Sequence, residues 1–524
     1  MLFNQFHDLA AGSGIGVIYK DAQKDYDWVR MSTGEISRGA LNEVAERINS
    51  SAGVKSKEGQ PLVVFNPLGW ARSGSVVVSI PGYPDGFTLD DPSNGFHAIS
   101  FRLLHLAEFN HKTGRYGDDR YLIPVSDVPA LGYKILRVTP GCNEKICHEL
   151  EDITILNEDD LKPNNHSMWL DNDKIHLKVD DTTGCITSLV DKQSNSELIA
   201  PEACGNQLQF FKDLPKDYDA WNIDPGTLDE TPSVVEKADS IDYFQGPNFE
   251  RSIKITRHWQ NSKFVQTIRL QGDQIDIEND IDWHEKHVLL KAAFPVAVKS
   301  DFATYEIPYG AIERPTTRNN SWEKAQFEVP AMRWADLSGA GAGGKVYGLS
   351  VLNQDKFGYD AAGNVLRLTL LRSPTWPDPD ADQGHHHFHY ALYPHAGTWK
   401  DALTVRHGWE YNYPLQAVVT TAHTGSLPAE HSFASVSPEN VVLTAVKKAE
   451  DANGLIFRVY EWAGKETTAE FHVPPGATGA TVANLMERPE GDALKVEGDV
   501  VKAPIKPYEI LTILVSYPNG GPKL

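Results

Sequence analysis

From residue 60 onward, turn-forming residues cut the chain into short β-rich runs, and this pattern restricts the fold more than any other feature. LVVFNPL, GSVVVSI, FRLLHL, RYLIPV and YKILRV come first. KITRHWQ, FVQTIRLQ, QIDIENDIDW, HVLLKAAFPVAV, KVYGLSVLN, VLRLTLLR and HFHYALYP follow. VVLTAVKKA, LIFRVYEW, TAEFHV, ATVANL and EILTILV complete the series. Runs this short, rich in β-branched and aromatic residues, form strands, and without helical crossovers between them the strands pair antiparallel. The fold class is therefore mainly β, with several antiparallel β-sandwich domains. A small sandwich is expected over 60–140, a large one over 165–420 and a small terminal one over 430–524. IHLKVDDTTGCITSLVD reads as a hairpin closed by an Asp-Asp-Thr-Thr-Gly turn. The middle unit has enough strands for two long sheets that share one core.

Only residues 13–50 carry helical periodicity. Ile15, Tyr19, Ala22, Tyr26 and Val29 form one apolar stripe, and Ile36, Leu41, Val44 and Ile48 a second. Ser-Thr-Gly between them predicts a short N-terminal helical hairpin, with Ser13 capping its first helix. SAGVKSKEGQ at 51–60 is a polar linker.

The balance of 49 basic and 71 acidic residues, net −22, excludes nucleic acid and anionic membrane as partners. No apolar run approaches membrane-spanning length. MLFNQFHDLAAG lacks the basic and apolar regions of a signal peptide, so a cytoplasmic protein is expected. The spacing of Cys142, Cys147, Cys185 and Cys204 suits neither a disulfide scaffold nor a structural zinc site. Buried or idle thiols in a reducing compartment are expected.

NQFHD at 4–8 places an imidazole and a carboxylate, His7 and Asp8, just before the helical region. Both groups suit zinc or sugar hydroxyls, yet two ligands do not complete a metal site. FNQFHDLAAGSGIGVIYKDAQKDY resembles the segment that closes the active site in glycoside hydrolase family 38, the α-mannosidases. VVFNPLGWARSG and NDKIHLKVDDTTGCITSLVDKQSNSELIA are similar to a strand and a hairpin of that family. GNQLQFFKDLPKDYDAWNID, IDWHEKHVLLKAAFPV and LLRSPTWPDPDADQGHHHFHYALYPH extend the collinear series over essentially the whole chain.

The resemblance implies a catalytic α/β domain, then a three-helix bundle, then β-sandwich domains, the central one a large galactose-mutarotase-like supersandwich. This chain matches the end of the catalytic segment, a remnant of the bundle (1–50) and the β part. The resemblance further implies a zinc ion that holds vicinal hydroxyls of a terminal mannose. Its ligands are a His and an Asp of an HxDxxW motif, the nucleophilic Asp and a later His. Only the last maps here, onto His7, with Asp8 as a neighbouring sugar contact. HxDxxW is absent, and so are the segments that carry the two carboxyl groups of a retaining glycosidase. The expected function is thus the C-terminal part of a retaining, zinc-dependent α-mannosidase acting on mannose-containing oligosaccharides. The chain is expected to be inactive without a missing catalytic domain, supplied by a longer or a separate polypeptide.

Asp219 and Trp221 are candidates to line the mannose pocket, since aromatic faces stack on sugar rings; the alternative is a turn around a buried Trp. Arg372, Asp380, Asp382 and Gln383 are candidate hydroxyl-binding groups, against a solvated acidic loop. His385, His387 and His389 share one strand face but are spaced along it, so that a tight metal site is not expected. These extra histidines depart from the family pattern. Two other functions are carried forward: a stand-alone carbohydrate-binding β-sandwich module, and aldose-epimerase-like chemistry at His284 and Glu285. A defunct truncated fragment is the remaining expectation.

Overall fold

The computed structural model describes residues 1–51, 59–80, 87–94, 97–105, 109–110, 115–116, 120–141, 168–246, 249–518 and 521–522. Cys142 and Cys147 lie outside them.

The N-terminal region is not a hairpin. Gly16–Arg47 is one continuous α-helix, with only Ala22 and Ala45 buried along it. Gly34 sits where its missing side chain faces open space. A glycine in an exposed helix interior costs about 1 kcal/mol, too little to stop a helix that contains no proline. Ser13 is not its cap either. The cap position is Ile15, and Ser13 is buried with its hydroxyl on the Asp8 carbonyl at 3.4 Å. The helix C-terminus is held by the chain at 421–427. Asn49 N–H donates to the Leu427 carbonyl (2.8 Å), and His423 Nε2 reaches the Ala45 carbonyl (3.2 Å). Gly425 passes so close that any Cβ would collide with the Arg47 carbonyl.

The first sandwich stacks two sheets over Leu62, Val64, Val76, Ile123, Leu136 and Val138. One sheet contains Gln60–Asn66, Gly132–Pro140 and Phe87–Asp91; the late strands Gln416–Val419 and Glu430–Ser432 join it. The other contains Arg72–Ser79 and Arg120–Val128. Asn66 of the FNPLGW motif is a buried junction. Its amide donates to the carbonyls of Trp70 (2.8 Å), Val128 (3.2 Å) and Pro129 (3.0 Å), and its oxygen accepts from Leu68 N–H and Arg72 Nε.

The central unit is a large supersandwich. One antiparallel sheet includes Gln207–Lys212, Val288–Pro295 and Val365–Arg372. The opposing sheet includes Phe249–Trp259, Ser262–Gln271, Gln274–Trp283, Gly384–Ala396 and Val346–Asn353. Strand alternation turns Ile253, Phe264, Ile277 and Trp283 of one sheet toward Leu290, Phe294 and Leu368 of the other. The expected hairpin is present, pairing Ile175–Val179 with Ile186–Asp191. Asp180 holds its turn by accepting from Thr183 N–H (2.8 Å) and Thr183 Oγ1 (2.7 Å). Cys185, just before the second strand, is disulfide-bonded to Cys204. That corrects the expectation of idle thiols for this pair: the chain after the hairpin returns so that Gly205 bridges Ile186, which brings together residues 19 apart in sequence.

The terminal sandwich packs Thr467–His472 and Val500–Ile505 over Val441–Lys448, Gly454–Glu461 and Ile510–Ser516. Trp70, Trp334, Trp399, Trp409, Tyr460 and Trp462 form one buried aromatic cluster, to which all three sandwiches contribute. Among the described residues, no helix is long and apolar enough to cross a membrane.

Candidate functional site

Two loops and the N-terminal segment converge at one end of the supersandwich. Residues 213–224 follow the strand Gln207–Lys212, and residues 373–383 follow Val365–Arg372. Arg372 joins the loops. Its Nε meets the fully buried Asp213 carboxylate at 2.5 Å, Nη1 donates to the Ala220 carbonyl (2.9 Å), and Nη2 to the carbonyls of Asp219 (2.7 Å) and Asn222. The guanidinium is thus occupied by protein and acts as a clamp. Burial pushes the Asp213 carboxyl above its usual range, although the Arg372 charge opposes the shift.

Asp219 is a second latch. Its Oδ2 accepts from Thr375 N–H (2.6 Å) and Trp376 N–H (3.2 Å), and His287 Nδ1 lies at 3.8 Å. Trp221 is not a buried turn residue: it is 47% exposed, beside Trp376 at 54% and Tyr218 at 66%. Ring centroids of Trp221 and Trp376 are 5.2 Å apart, and those of Tyr218 and Trp221 6.4 Å apart. The two latched loops therefore present an aromatic platform to solvent. Trp376 and Tyr218 were not singled out from the sequence; TWPDPD and KDYDAW carry them, but only the clamp makes them neighbours.

The far end of the second loop is more tightly held. Gln383 Nε2 donates to the Glu285 carbonyl at 2.7 Å. Asp382 is exposed, with Oδ2 3.4 Å from Arg372 N–H; desolvation pushes its pKa up, opposed by the His386 charge. Asp380 stays in solvent near Lys286 Nζ, 3.5 Å away.

The N-terminal segment borders these loops. A Cβ on Gly16 would lie 2.9 Å from the Asp378 carboxylate. The Tyr19 hydroxyl accepts from Gly14 N–H (2.6 Å) and donates to the Asp8 carbonyl (3.3 Å). Burial raises its pKa, and Asp378, Asp382 and Asp8 add to the shift. Tyr19 thereby ties the Asp8 backbone, at the end of NQFHD, to a helix start that lies beside Asp378. His7 itself projects outward, 78% exposed, with Nε2 3.4 Å from Asp8 Oδ2. Among the described residues no third His, Cys, Asp or Glu completes a ligand group with them.

Glu285 is buried and already accepts from Asn261 N–H and Ser262 Oγ, each at 2.8 Å. His284 instead faces Asp282 at 2.9 Å. The pair does not converge on a common substrate position.

Residues 170–380 match the model of the glycosyl hydrolases family 38 C-terminal domain, and residues 440–513 match that of the family 38 C-terminal beta sandwich domain. The chain belongs to glycoside hydrolase family 38. It corresponds to the C-terminal portion of that family's members. It is 31% identical to alpha-mannosidase 2C1 of Homo sapiens over 98% of this chain and 44% of the relative. It is 28% identical to alpha-mannosidase G of Dictyostelium discoideum over 90% of this chain and 43% of the relative. The chain thus spans less than half the length of these curated relatives. An alpha-mannosidase structure from Enterococcus faecalis V583 shares the fold, with TM-score 0.75 and 17% identity, covering 98% of this chain and 62% of that one.

The zinc associated with this family needs about three or four protein ligands. His7 and Asp8 offer at most two, so the described residues of this region do not house it unaided.

Proposed function

We propose that this chain is the C-terminal portion of a retaining, zinc-dependent α-mannosidase that hydrolyses terminal α-mannosyl linkages in oligosaccharides. What supports the reading is that Gly16 and Tyr19, just after NQFHD, lie beside the loop bearing Asp378 and Asp382, whose Trp376 stands next to Trp221. In this reading His7 contributes one metal ligand and Asp8 a sugar contact. Trp221 stacks on the sugar, Asp382 and Gln383 border the pocket, and Arg372 and Asp219 position the loops. The nucleophile and the other zinc ligands belong to a catalytic domain in the same longer chain or a separate one, and this chain alone is inactive. Leu2, Phe3, Phe6, Ile15, Trp28 and Ile36 are exposed along the N-terminal region and suit such a domain as their cover. The reading keeps the protein cytoplasmic, although the Cys185–Cys204 bond is of a kind more common in oxidising compartments.

The test uses the polypeptide that includes the catalytic domain. His7→Ala should lower both zinc content and kcat/KM on an α-mannoside, and Trp221→Ala should raise KM without loss of zinc. Full zinc and full activity in His7→Ala would refute the reading.

The exposed Tyr218, Trp221 and Trp376 favour a second reading, a carbohydrate-binding module that needs no metal. Binding of a mannose oligosaccharide by this chain in the presence of a chelator, lost in Trp221→Ala, would support it.

A further inference from the structure

A second group of metal-binding side chains lies on the outer face of the supersandwich. Strands Gln274–Trp283 and Gly384–Ala396 pair so that Glu278 stands opposite His389, Asp280 opposite His387 and Asp282 opposite His385. The intervening residues Ile277, Ile281, Phe388 and Tyr390 are buried in the core, so alternation sends the acids and imidazoles outward. One strand alone spreads its imidazoles along its length. The neighbouring strand supplies the convergence: one ligand atom from each of Glu278, His387 and His389 lies within 4.8 Å of the others.

We propose that Glu278, His387 and His389 bind a borderline divalent transition-metal ion of the Zn²⁺, Co²⁺ or Ni²⁺ class, at a site separate from His7. Two imidazoles and one carboxylate select such ions over Ca²⁺ or Mg²⁺, which favour all-oxygen shells. Surrounding groups already orient the ligands. Asp276 Oδ2 stands 3.6 Å from His389 Nδ1, the carboxylate–imidazole arrangement that leaves the other ring nitrogen for metal. Tyr411 hydroxyl donates to Asp276 Oδ1 at 3.0 Å, fixing that carboxylate in turn. Arg269 Nη1 binds Glu278 Oε2 at 2.6 Å, while Glu278 Oε1 faces His387 Nε2 at 3.9 Å. Zinc bonds of about 2.0 Å set tetrahedral ligands about 3.3 Å apart, so closure requires roughly 1 Å of movement at the side-chain tips. His387, more than half exposed, is free to make it. Such an ion would tie the two strands together where the second leads in from the 373–383 loop.

Protons compete for this site. Its charged surroundings are Asp276, Glu278, Asp280 and Asp355 on the acidic side, with Arg269 and Lys356 on the basic side. A metal ion displaces protons from imidazole ligands, so binding should strengthen as pH rises.

The experiment is Co²⁺ and Zn²⁺ titration of the full chain by calorimetry and cobalt absorption, with folding of each variant checked by circular dichroism. One equivalent should bind at pH 7.5. His389→Ala and His387→Ala should each weaken binding more than about 100-fold, and Asp276→Asn by about 10-fold, the usual loss for an orienting partner. His7→Ala and His385→Ala should leave affinity unchanged. The proposal is overturned if wild-type protein binds neither ion, or if folded His387→Ala and His389→Ala variants bind as wild type does. Binding abolished by His7→Ala alone would likewise overturn it.

Discussion

Replacing Arg372 with Met tests whether the candidate site is built by a buried clamp. The change leaves the Asp213 carboxylate buried without its cation and frees the carbonyls of Asp219, Ala220 and Asn222. Breaking a buried ion pair from one side costs about 3–5 kcal/mol, because the remaining charge is uncompensated. The sign with pH follows from Asp213. Burial raises its folded-state pKa, so the folded state binds more protons than the unfolded one. Stability from this group is therefore greatest below the ordinary carboxylate range and falls as pH rises through the folded value. Without Arg372 that value rises further, so the deficit should be smaller at pH 5 than at pH 8. Urea unfolding, followed by tryptophan fluorescence and circular dichroism at both pH values, measures it as the loss in unfolding free energy. The double variant Arg372→Met/Asp213→Leu should recover most of the loss, since no buried charge is left unpaired. A deficit under about 1 kcal/mol, identical at both pH values and unaffected by the second substitution, would refute the clamp.

Two further outcomes are expected. Cys185→Ser should cost about 3 kcal/mol by the loop-entropy relation, and peptide mapping without reductant should recover Cys185 and Cys204 linked; recovery of both as free thiols would contradict this. Gly425→Ala should loosen the helix C-terminus from its 421–427 cradle, because a methyl group collides with the Arg47 carbonyl. The measurable result is faster proteolysis near residue 48 with the β core intact, and an unchanged cleavage rate would count against the cradle.

The β architecture was legible because strand alternation and turn chemistry are local properties. Asp180 with its Thr-Thr-Gly turn needs only residues a few positions away. The helical region differs from the expected hairpin because Ser-Thr-Gly resembles a break, whereas the exposed Gly34 and Gly39 cost only about 1 kcal/mol each in a helix anchored at its C-terminus. Site residues were harder to assign, since their roles depend on distant partners. Arg372 has the chemistry of a hydroxyl binder, but Asp213, 159 residues earlier, occupies it. His387 and His389 look dispersed until Glu278 arrives from the adjacent strand, and Trp376 gains meaning only beside Trp221. The Cys185–Cys204 pair was hidden in the same way, because its spacing matches no local motif.

The most direct test of the proposed function is α-mannoside hydrolysis with zinc present, measured for this chain alone and for the chain produced together with the segment encoded immediately upstream. No turnover by the chain alone and retaining hydrolysis by the combined protein, dependent on His7, is the predicted result. Hydrolysis by the isolated chain, or activity in the combined protein that is indifferent to His7→Ala, would contradict it.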